Sequence, residues 1–486
     1  MDQGEINSMN KIIATSHTHD PALSNTAKNE LTAWPLLGWL LKKGFLMTGL
    51  RLFACSTFVV AIITGLLFND ARVGLATLVF WGIFWPLLTA IVTPSLGNLF
   101  CGICPHGFIG KKLNKLGLQR SFPKKLKGIW GGVFAIVLGY WVIAYAMPGF
   151  LSSSTRNTAI YFTLFTLAAF TIFFIYKDMA WCKHICPLGR VLSTHGKIGI
   201  LQIQTDQNDC NQCKSFDCVK ACSYHLSPFN FEKRNNMGSC TLCMDCITAC
   251  NSVKLVAKTP GSALKAPIAN QNKYEMWVFV IILGVAGVGI QFLHGLQHTP
   301  LKPYLPWTLL GDMMHGYLPV NPESFNIGRL LALVMGLGIT LTVSTWGYWK
   351  ASHILGIHWS HTANTLAVAL APLAIIGLIP HAVTGFTTRT AHTLSNEVST
   401  LLGANWQIAP LAARGDAWFT YLNWLPYLAM LWTLWLLWQR SALLTSHPST
   451  RFKIFFYGSL PAITYMIIFA IKVLALVLMD GTEHAH

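Results

Sequence analysis

Twelve of the thirteen cysteines fall into four tight groups, and the last two groups have the spacing of iron–sulfur ligands. The eight cysteines of these two groups are Cys210, Cys213, Cys218, Cys222, Cys240, Cys243, Cys246 and Cys250. A [4Fe–4S] cluster is held by four thiolates, and a short loop with closely spaced cysteines supplies three of them. A structural zinc ion also accepts four thiolates. The duplicated arrangement favours two iron–sulfur clusters, because it is not a usual zinc framework.

In the bacterial two-cluster pattern, the fourth cysteine of each run ligates the other cluster. The pattern predicts a first ferredoxin set of Cys210, Cys213, Cys218 and Cys250. It predicts a second ferredoxin set of Cys240, Cys243, Cys246 and Cys222. The run from Cys240 has the expected spacing throughout, whereas the run from Cys210 has four residues rather than two between its second and third cysteines. The cluster type of the first set is therefore open.

The other two groups are Cys101-Gly-Ile-Cys104-Pro and Cys182-Lys-His-Ile-Cys186-Pro, and each follows a long apolar run. If those runs are neighbouring helices, the four thiols meet at the membrane surface, in what we call the Cys-Pro site. Three interpretations are open: a third [4Fe–4S] cluster, a thiol/disulfide or copper site, and inert structural cysteines. Cys55 stands alone in an apolar run and is expected to be a small buried hydrophobe.

The composition is that of a membrane protein. Of 486 residues, 53% are hydrophobic and 11% are charged, and the mean hydropathy is +0.47; soluble domains have about a quarter charged residues. Apolar stretches of about twenty residues predict membrane-spanning helices. The nine predicted spans are residues 45–68, 73–94, 128–147, 157–176, 275–293, 327–349, 362–383, 417–438 and 453–478.

The charge pattern predicts an orientation. Lys and Arg number 35 against 18 Asp and Glu, but they collect in short loops between spans, so the positive-inside rule explains them better than a nucleic-acid partner. Residues 111–127 hold seven basic residues and no acidic one, which predicts a cytoplasmic loop. Alternation then places the ferredoxin segment in the cytoplasm and the tail from Asp480 outside a bacterial-type inner membrane. The N-terminus, without a signal-peptide pattern, is expected to be cytoplasmic.

The predicted fold is mainly α: a polytopic membrane helix bundle with an inserted small α+β two-cluster ferredoxin domain. Four parts are expected: an N-terminal segment 1–44 with an interfacial helix over 31–41, a four-span module 45–198, the ferredoxin domain 199–262, and a five-span module 263–486. The boundary near residue 263 follows a Pro/Gly/Ser-rich stretch that begins at Lys258.

Four spans, two Cys-Pro motifs and a two-cluster ferredoxin run over residues about 45–260 resemble the membrane polyferredoxin family of the NapH, NosR and CcoG types. The resemblance implies electron transfer linked to the quinone pool, or metal reduction during cofactor assembly. Two features depart from the family. The first Cys-Pro motif has two residues between its cysteines instead of three, and the five cysteine-free spans after residue 263 have no counterpart.

The C-terminal half holds residues that suit a relay or a quinol site. Electrons need a carrier to cross a hydrocarbon core of about 30 Å, and histidine is the usual haem ligand. The candidates for haem b or quinol are His294, His315, His353, His358, His361, His381 and Asp312. No CxxCH motif is present, so a covalent c-type haem is excluded. The alternative is that these are interfacial residues that bond headgroups and water.

These observations favour a membrane-bound iron–sulfur protein that exchanges electrons between the quinone pool and a redox partner, either a ferredoxin or a cytochrome. The first alternative is a maturation factor that reduces or transfers copper with its Cys-Pro motifs. The second is a redox-coupled transporter, although no internal repeat supports it. Arg51 lies near a span end and is expected to extend to the interface. Lys220, Lys233 and Arg234 would form a basic docking face.

Overall fold

The computed structural model describes residues 29–68, 74–128, 130–231, 236–267, 275–413, 415–422 and 424–478. Over these residues the fold is mainly α, as predicted, with one small antiparallel sheet. The expectations for the N-terminus before residue 29, for Lys233 and Arg234, and for the tail from Asp480 lie outside the described residues.

In the described part of the chain, six helices are long and apolar enough to cross a membrane. They are Phe45–Leu67, Thr155–Ile175, Trp277–His298, Ile327–Leu355, Trp359–Leu401 and Pro448–Val477. Two shorter apolar helices, Leu75–Leu88 and Trp130–Ala146, lie between the first two, and Leu425–Ser441 precedes the last. The chain is therefore a multi-pass membrane protein. The count of nine spans stays a prediction.

The helices of the N-terminal half pack closely through small residues, as membrane helices commonly do. A Cβ atom on Gly65 would lie 2.7 Å from the Cβ of Ala159 and 2.9 Å from that of Ala76. The backbone N–H of Gly74 donates to the hydroxyl of Thr155 at 2.7 Å. These contacts join helix Phe45–Leu67 to the two helices that lead into the Cys-Pro motifs.

Each Cys-Pro motif stands at the start of a short helix. Leu99–Ile103 is followed by Pro105–Leu116, and the π-helical turn Trp181–Ile185 is followed by Pro187–Ile198. Proline suits the first position of a helix because its missing N–H would have no intrahelical partner there. The second cysteine of each motif, Cys104 or Cys186, therefore lies at a helix N-terminus.

A two-stranded antiparallel sheet encloses the ferredoxin cysteines. Strand β1, Leu201–Thr205, pairs with β2, Val253–Ala257, and Leu201 lies opposite Ala257. All eight cysteines of the two ferredoxin sets lie between these strands in sequence, together with the short helices Gln207–Asn211, Asp217–Lys220 and Asp245–Ala249. The sheet thus closes a cysteine-bearing segment of about fifty residues onto itself.

The C-terminal half forms its own core, and its predicted outer loops contain helix. Phe279, Tyr348 and Leu436 are completely buried there. Residues 294–326, between two predicted spans, include helix Pro306–Tyr317, and the helix that begins at Trp359 continues to Leu401, past the predicted end of its span at residue 383. Helical structure therefore continues outside the predicted spans, because polar residues interrupt the apolar pattern without preventing helix formation.

A buried arginine holds the linker between the two halves. The guanidinium of Arg440 is fully buried and donates to the backbone carbonyls of Leu264, Ala266 and Thr365. It ties the chain after residue 263 to helices Trp359–Ala367 and Leu425–Ser441.

A buried ion pair joins the two halves and provides a stability prediction. Lys197 Nζ lies 2.8 Å from Glu275 Oε2, and the side chains are 5% and 3% exposed. Because removing one partner leaves a buried charge uncompensated, Lys197→Met should lower the free energy of unfolding by about 3–5 kcal/mol. Adding Glu275→Leu should recover most of the loss. Denaturant titrations of the purified protein in micelles measure both values; equal stabilities of the single and double variants would contradict the prediction.

Candidate iron–sulfur site

The structure brings the four thiols of the Cys-Pro site together. Burial raises the pKa of Cys101 well above its ordinary value, and the nearby charges of Cys186, Cys104 and Cys182 raise it further. The pKa of Cys182 is raised in the same way, by burial first and then by Cys186. Two motifs about eighty residues apart therefore form one cluster of thiols.

This thiol cluster has the chemistry of a site for a soft metal or an iron–sulfur cluster. Burial raises the pKa values of Cys101, Cys104 and Cys182, so these thiols keep their protons unless a cation compensates the charge of the thiolates, and a bound metal does so. Cys186 Sγ accepts the backbone N–H of Gly189 at 3.3 Å, in the first turn of helix Pro187–Ile198. The positive ends of two helices, at Cys104 and Cys186, favour thiolates in the same place. The residues present fit such a group.

The last cysteine of each ferredoxin run lies near thiols of the other run. Burial raises the pKa of Cys218 to about 12, and the next cause is the charge of Cys250, from the other run. Burial raises the pKa of Cys246 well above its ordinary value, and Cys222 of the first run is among the thiols that add to it. Each run therefore contributes its last cysteine to the neighbourhood of the other run.

Three residues of the cysteine loops have a strained backbone conformation, and one backbone N–H there points at a sulfur. Phe216, Leu242 and Met244 have positive φ values of 50°, 52° and 62°. Such conformations in residues other than glycine cluster at functional sites, where surrounding structure enforces them. The backbone N–H of Leu242 points at Cys240 Sγ at 3.4 Å, which stabilises negative charge on that sulfur. The loops are shaped to present N–H groups to thiolates.

A site for one zinc ion is the alternative to an iron–sulfur cluster. Sulfurs around a tetrahedral zinc ion lie roughly 3.8 Å apart, given Zn–S bonds of about 2.3 Å. Among the described residues, no three Cys, His, Asp or Glu side chains converge enough to hold one metal ion.

The second ferredoxin set lies directly against the Cys-Pro site. A Cβ atom on Gly102 would lie 2.7 Å from the carbonyl oxygens of Thr241 and Leu242, so the two loops are in backbone contact. Asn98 Nδ2 donates to the carbonyl of Cys240 at 3.0 Å. The buried Tyr224, two residues after Cys222, donates its hydroxyl to Cys182 and thereby lowers the raised pKa of that thiol. The two sites are therefore adjacent.

A large apolar cavity of about 790 Å³ adjoins the Cys-Pro site. All four thiols of the site line it, with residues of helices Phe45–Leu67, Leu75–Leu88 and Thr155–Ile175. Leu394 and Val398 of the C-terminal half contribute to its wall. Phe53, another lining residue, is 72% exposed, so the cavity reaches the apolar outer surface of its helix. An apolar molecule from the bilayer can therefore approach the thiols.

His106 lines the same cavity and was not singled out from the sequence. Its Nε2 lies 2.8 Å from Thr166 Oγ1, and burial lowers the pKa of His106 to about 4, so the ring is neutral at neutral pH. Its position directly after Cys104-Pro105 is the feature of the sequence that could have identified it.

Cys55, expected to be inert, lies close enough to Cys104 to raise the pKa of that thiol, although burial has the larger effect.

The histidines proposed for haem or quinol are mostly dispersed. His294 and His381 have ring centroids 6.4 Å apart, on different helices. His315 Nε2 accepts the N–H of Ile327, and His358 caps the helix that begins at Trp359. His353 lies beside Trp349, and His361 and Asp312 are exposed. Of the candidate histidines and Asp312, the structure brings His294 and His381 together, and no member of that group lines the large cavity.

The expectation that Arg51 extends to the membrane interface is wrong. Its side chain is 8% exposed and donates to the carbonyls of Gly102 and Cys243 and to the carboxylate of Asp245. A charge inside a predicted span was the sequence signal for this role. Its partners are far away in the chain, so the sequence could not name them.

Comparison with known proteins relates this site to 4Fe-4S proteins. A family model described as a 4Fe-4S binding domain matches residues 77–129 and 158–199, which contain both Cys-Pro motifs. The "Uncharacterized protein MJ0749" of Methanocaldococcus jannaschii is 25% identical over 34% of this chain and 65% of its own length. The "Putative electron transport protein YccM" of Escherichia coli is 27% identical over 45% of this chain and 68% of its own.

The "Ferredoxin-type protein NapH" of Escherichia coli is 29% identical over 18% of this chain and 32% of its own length. The chain thus spans less than two thirds of MJ0749 and about one third of NapH. No solved structure matches the chain. The predicted resemblance of residues about 45–260 to the membrane polyferredoxin family is confirmed: this multi-pass membrane chain matches the model of a 4Fe-4S binding domain at its Cys-Pro motifs and is similar to polyferredoxin-type proteins.

Proposed function

We propose that this chain is a membrane-bound iron–sulfur electron-transfer protein that exchanges electrons between the quinone pool and a redox partner. One observation carries the proposal: the Cys-Pro site lies between the second ferredoxin set and an apolar cavity that opens at the lipid-facing surface. Electrons could pass in that order between a redox partner at the water-exposed ferredoxin face and a lipid-soluble carrier in the cavity. The names of YccM and NapH, which describe an electron transport and a ferredoxin-type protein, agree with it.

In this proposal each of the three thiol sets holds one [4Fe–4S] cluster. A bound cluster takes up and releases single electrons. The chain positions the thiols, buries them and supplies backbone N–H groups to their sulfurs. The family match at residues 77–129 and 158–199 supports a cluster at the Cys-Pro site rather than inert cysteines.

The cavity is the proposed place of the quinone ring. Its lining is almost entirely apolar, which suits a ring with an isoprenoid tail, and the thiols of the Cys-Pro site lie at its edge. The outer-loop residues Asp312 and His315 do not line it, so the proposal gives them no role.

The proposed topology has nine spans in a bacterial-type inner membrane, with the N-terminus and residues 199–262 in the cytoplasm and the C-terminus outside. The basic loop 111–127 supports this orientation. The pairing of β1 with β2 supports a separate ferredoxin domain between a four-span module that ends at residue 198 and a five-span module that begins at 263. A soluble ferredoxin or cytochrome would dock near Cys213, where Lys214 and Ser215 are exposed.

The pair His294 and His381 is the place where we propose a haem b in the C-terminal half. Two imidazoles that share an iron have ring centroids about 6.3 Å apart, given metal–nitrogen distances of about 2.0–2.1 Å. The observed separation is 6.4 Å. Such a haem would extend the path towards the outer face.

The first experiment is a count of iron, sulfide, copper and haem per chain in anaerobically purified protein, with an optical spectrum before and after adding a quinol analogue. About twelve irons with equal sulfide would support three clusters, and about eight would leave the Cys-Pro site without one. Copper in place of the third cluster would favour the maturation alternative, since buried thiolates also suit Cu(I). A Soret band would establish haem, and zinc without sulfide would contradict electron transfer.

The cavity gives a direct test of quinone exchange. Ala54 lines the cavity on helix Phe45–Leu67, whereas Leu52, on the same helix, is 54% exposed and does not. Ala54→Trp should fill the space beside the thiols and slow quinol-dependent cluster reduction by about tenfold or more, a loss of at least ~1.4 kcal/mol in transition-state stabilisation. Leu52→Trp is the matched control. Stopped-flow rates on fully loaded variants provide the measurement, and equal rates for both would contradict the assignment of the cavity.

A further inference from the structure

One side chain bridges the Cys-Pro site and the second ferredoxin set. The Nε–H of Arg51 donates to the carbonyl of Gly102 at 3.0 Å, inside the first Cys-Pro motif. Its Nη2 donates to the carbonyl of Cys243 at 2.6 Å and to Asp245 Oδ1 at 3.0 Å, inside the loop of the second set. The planar guanidinium presents its donors in a rigid fork, so these contacts fix both distance and orientation.

A second cation completes the bridge. Lys111, on the helix that begins at Pro105, donates to the other carboxylate oxygen of Asp245. The three side chains are 10%, 16% and 26% exposed for Arg51, Lys111 and Asp245, so they are mostly shielded from water. Two cations and one carboxylate leave a net charge of +1 between the two thiol sets.

The two loops are in close backbone contact at Gly102. Gly102 has no room for a Cβ atom, because carbonyl oxygens of Thr241 and Leu242 would lie 2.7 Å from it. The guanidinium of Arg51 supplies donors to one carbonyl from each loop.

We propose that Arg51 and Asp245, supported by Lys111, are positioning residues that fix the separation of the Cys-Pro site from the second ferredoxin set and set the reduction potentials there. The inference rests on the proposed function, because both sites must hold clusters for a potential to exist. A net positive charge favours the reduced state, which carries one more negative charge. The bridge would therefore raise the reduction potentials of both clusters.

The test compares Arg51→Met, Arg51→Lys and Asp245→Asn with a control, Arg156→Met, whose side chain is exposed at the other end of the bundle. Potentiometric titrations monitored by EPR give the midpoint potential of each cluster and the magnetic splitting between neighbouring reduced clusters. Iron and sulfide counts show whether each variant is loaded. These readouts do not depend on turnover.

We expect Arg51→Met to keep its clusters but to shift the one-electron reduction equilibrium at least tenfold towards the oxidised state, which is 59 mV. Arg51→Lys should keep most of the wild-type midpoint potential, because lysine retains the positive charge. It should still alter the magnetic splitting between the two clusters, because lysine lacks the forked donors of the guanidinium. Asp245→Asn removes a negative charge and should shift the potential in the opposite direction. Opposite signs cannot result from general loosening of the structure. If Arg51→Met fails to fold, the direction of the shift in Asp245→Asn still tests the proposal.

Different results would contradict the role of Arg51 and the proposed function. Wild-type potentials and splitting in loaded Arg51→Met and Asp245→Asn would overturn the inference and leave the proposed function intact. Wild-type protein with no cluster at the Cys-Pro site would overturn both.

Discussion

Replacing Cys182 with serine is expected to remove about four irons per chain and to abolish electron exchange with quinol. Cys182 is buried among the thiols of the Cys-Pro site and accepts the hydroxyl of Tyr224. A cluster that loses one of its four thiolate ligands is destabilised, and the remaining buried thiols would then take up protons. Because all four thiols of the Cys-Pro site line the proposed quinone cavity and no ferredoxin cysteine does, the loss should be nearly complete.

Iron and sulfide counts and quinol-driven reduction of the anaerobic variant measure this effect. The two ferredoxin clusters should remain and should still be reduced by a soluble low-potential reductant. Cys55→Ser is the matched control, since it removes a thiol near Cys104 that belongs to neither motif. Full quinol activity in Cys182→Ser would show that electrons bypass the Cys-Pro site. Loss of copper rather than iron would support the maturation function.

Replacing Cys222 or Cys250 with serine is expected to remove the cluster of the opposite run. Cys222 is the last cysteine of the first run, but its charge raises the pKa values of Cys240 and Cys246 in the second run, in addition to the larger effect of burial. Cys250 affects Cys218 of the first run in the same way. Cys222→Ser should therefore abolish the cluster next to the Cys-Pro site and interrupt electron transfer, whereas Cys250→Ser should affect the outlying cluster.

EPR spectra of the reduced variants distinguish these results. In Cys222→Ser, the magnetic splitting between the second ferredoxin set and the Cys-Pro site should disappear, and Cys240→Ser should give the same spectrum. In Cys250→Ser, that splitting should persist. The crosswise assignment would be wrong if Cys222→Ser instead reproduced the spectrum of Cys210→Ser. Each variant should lose about four irons, which a metal count confirms.

The proposed quinone cavity differs from the place that the sequence suggested. Polar residues of the outer loops, such as Asp312, were candidates because a quinol needs a proton acceptor. Sequence reasoning of this kind selects residues by chemistry alone. The cavity beside the Cys-Pro thiols is instead built from ordinary apolar residues such as Ala54 and Phe58, whose chemistry carries no signal. A cavity lined by such residues forms only when helices distant in sequence pack together.

The sequence by itself determined what depends on neighbours along the chain. Ligand spacing predicted both ferredoxin sets, and apolar runs of about twenty residues predicted a multi-pass α-helical protein, because loop closure and lipid burial act over short stretches. Only the tertiary structure decided that two Cys-Pro motifs share one site, that Tyr224 reaches Cys182, and that Arg51 meets Asp245 across 194 residues. Such contacts depend on which helix faces pack together, and the large apolar surface of each membrane helix permits many packings that only the whole fold selects.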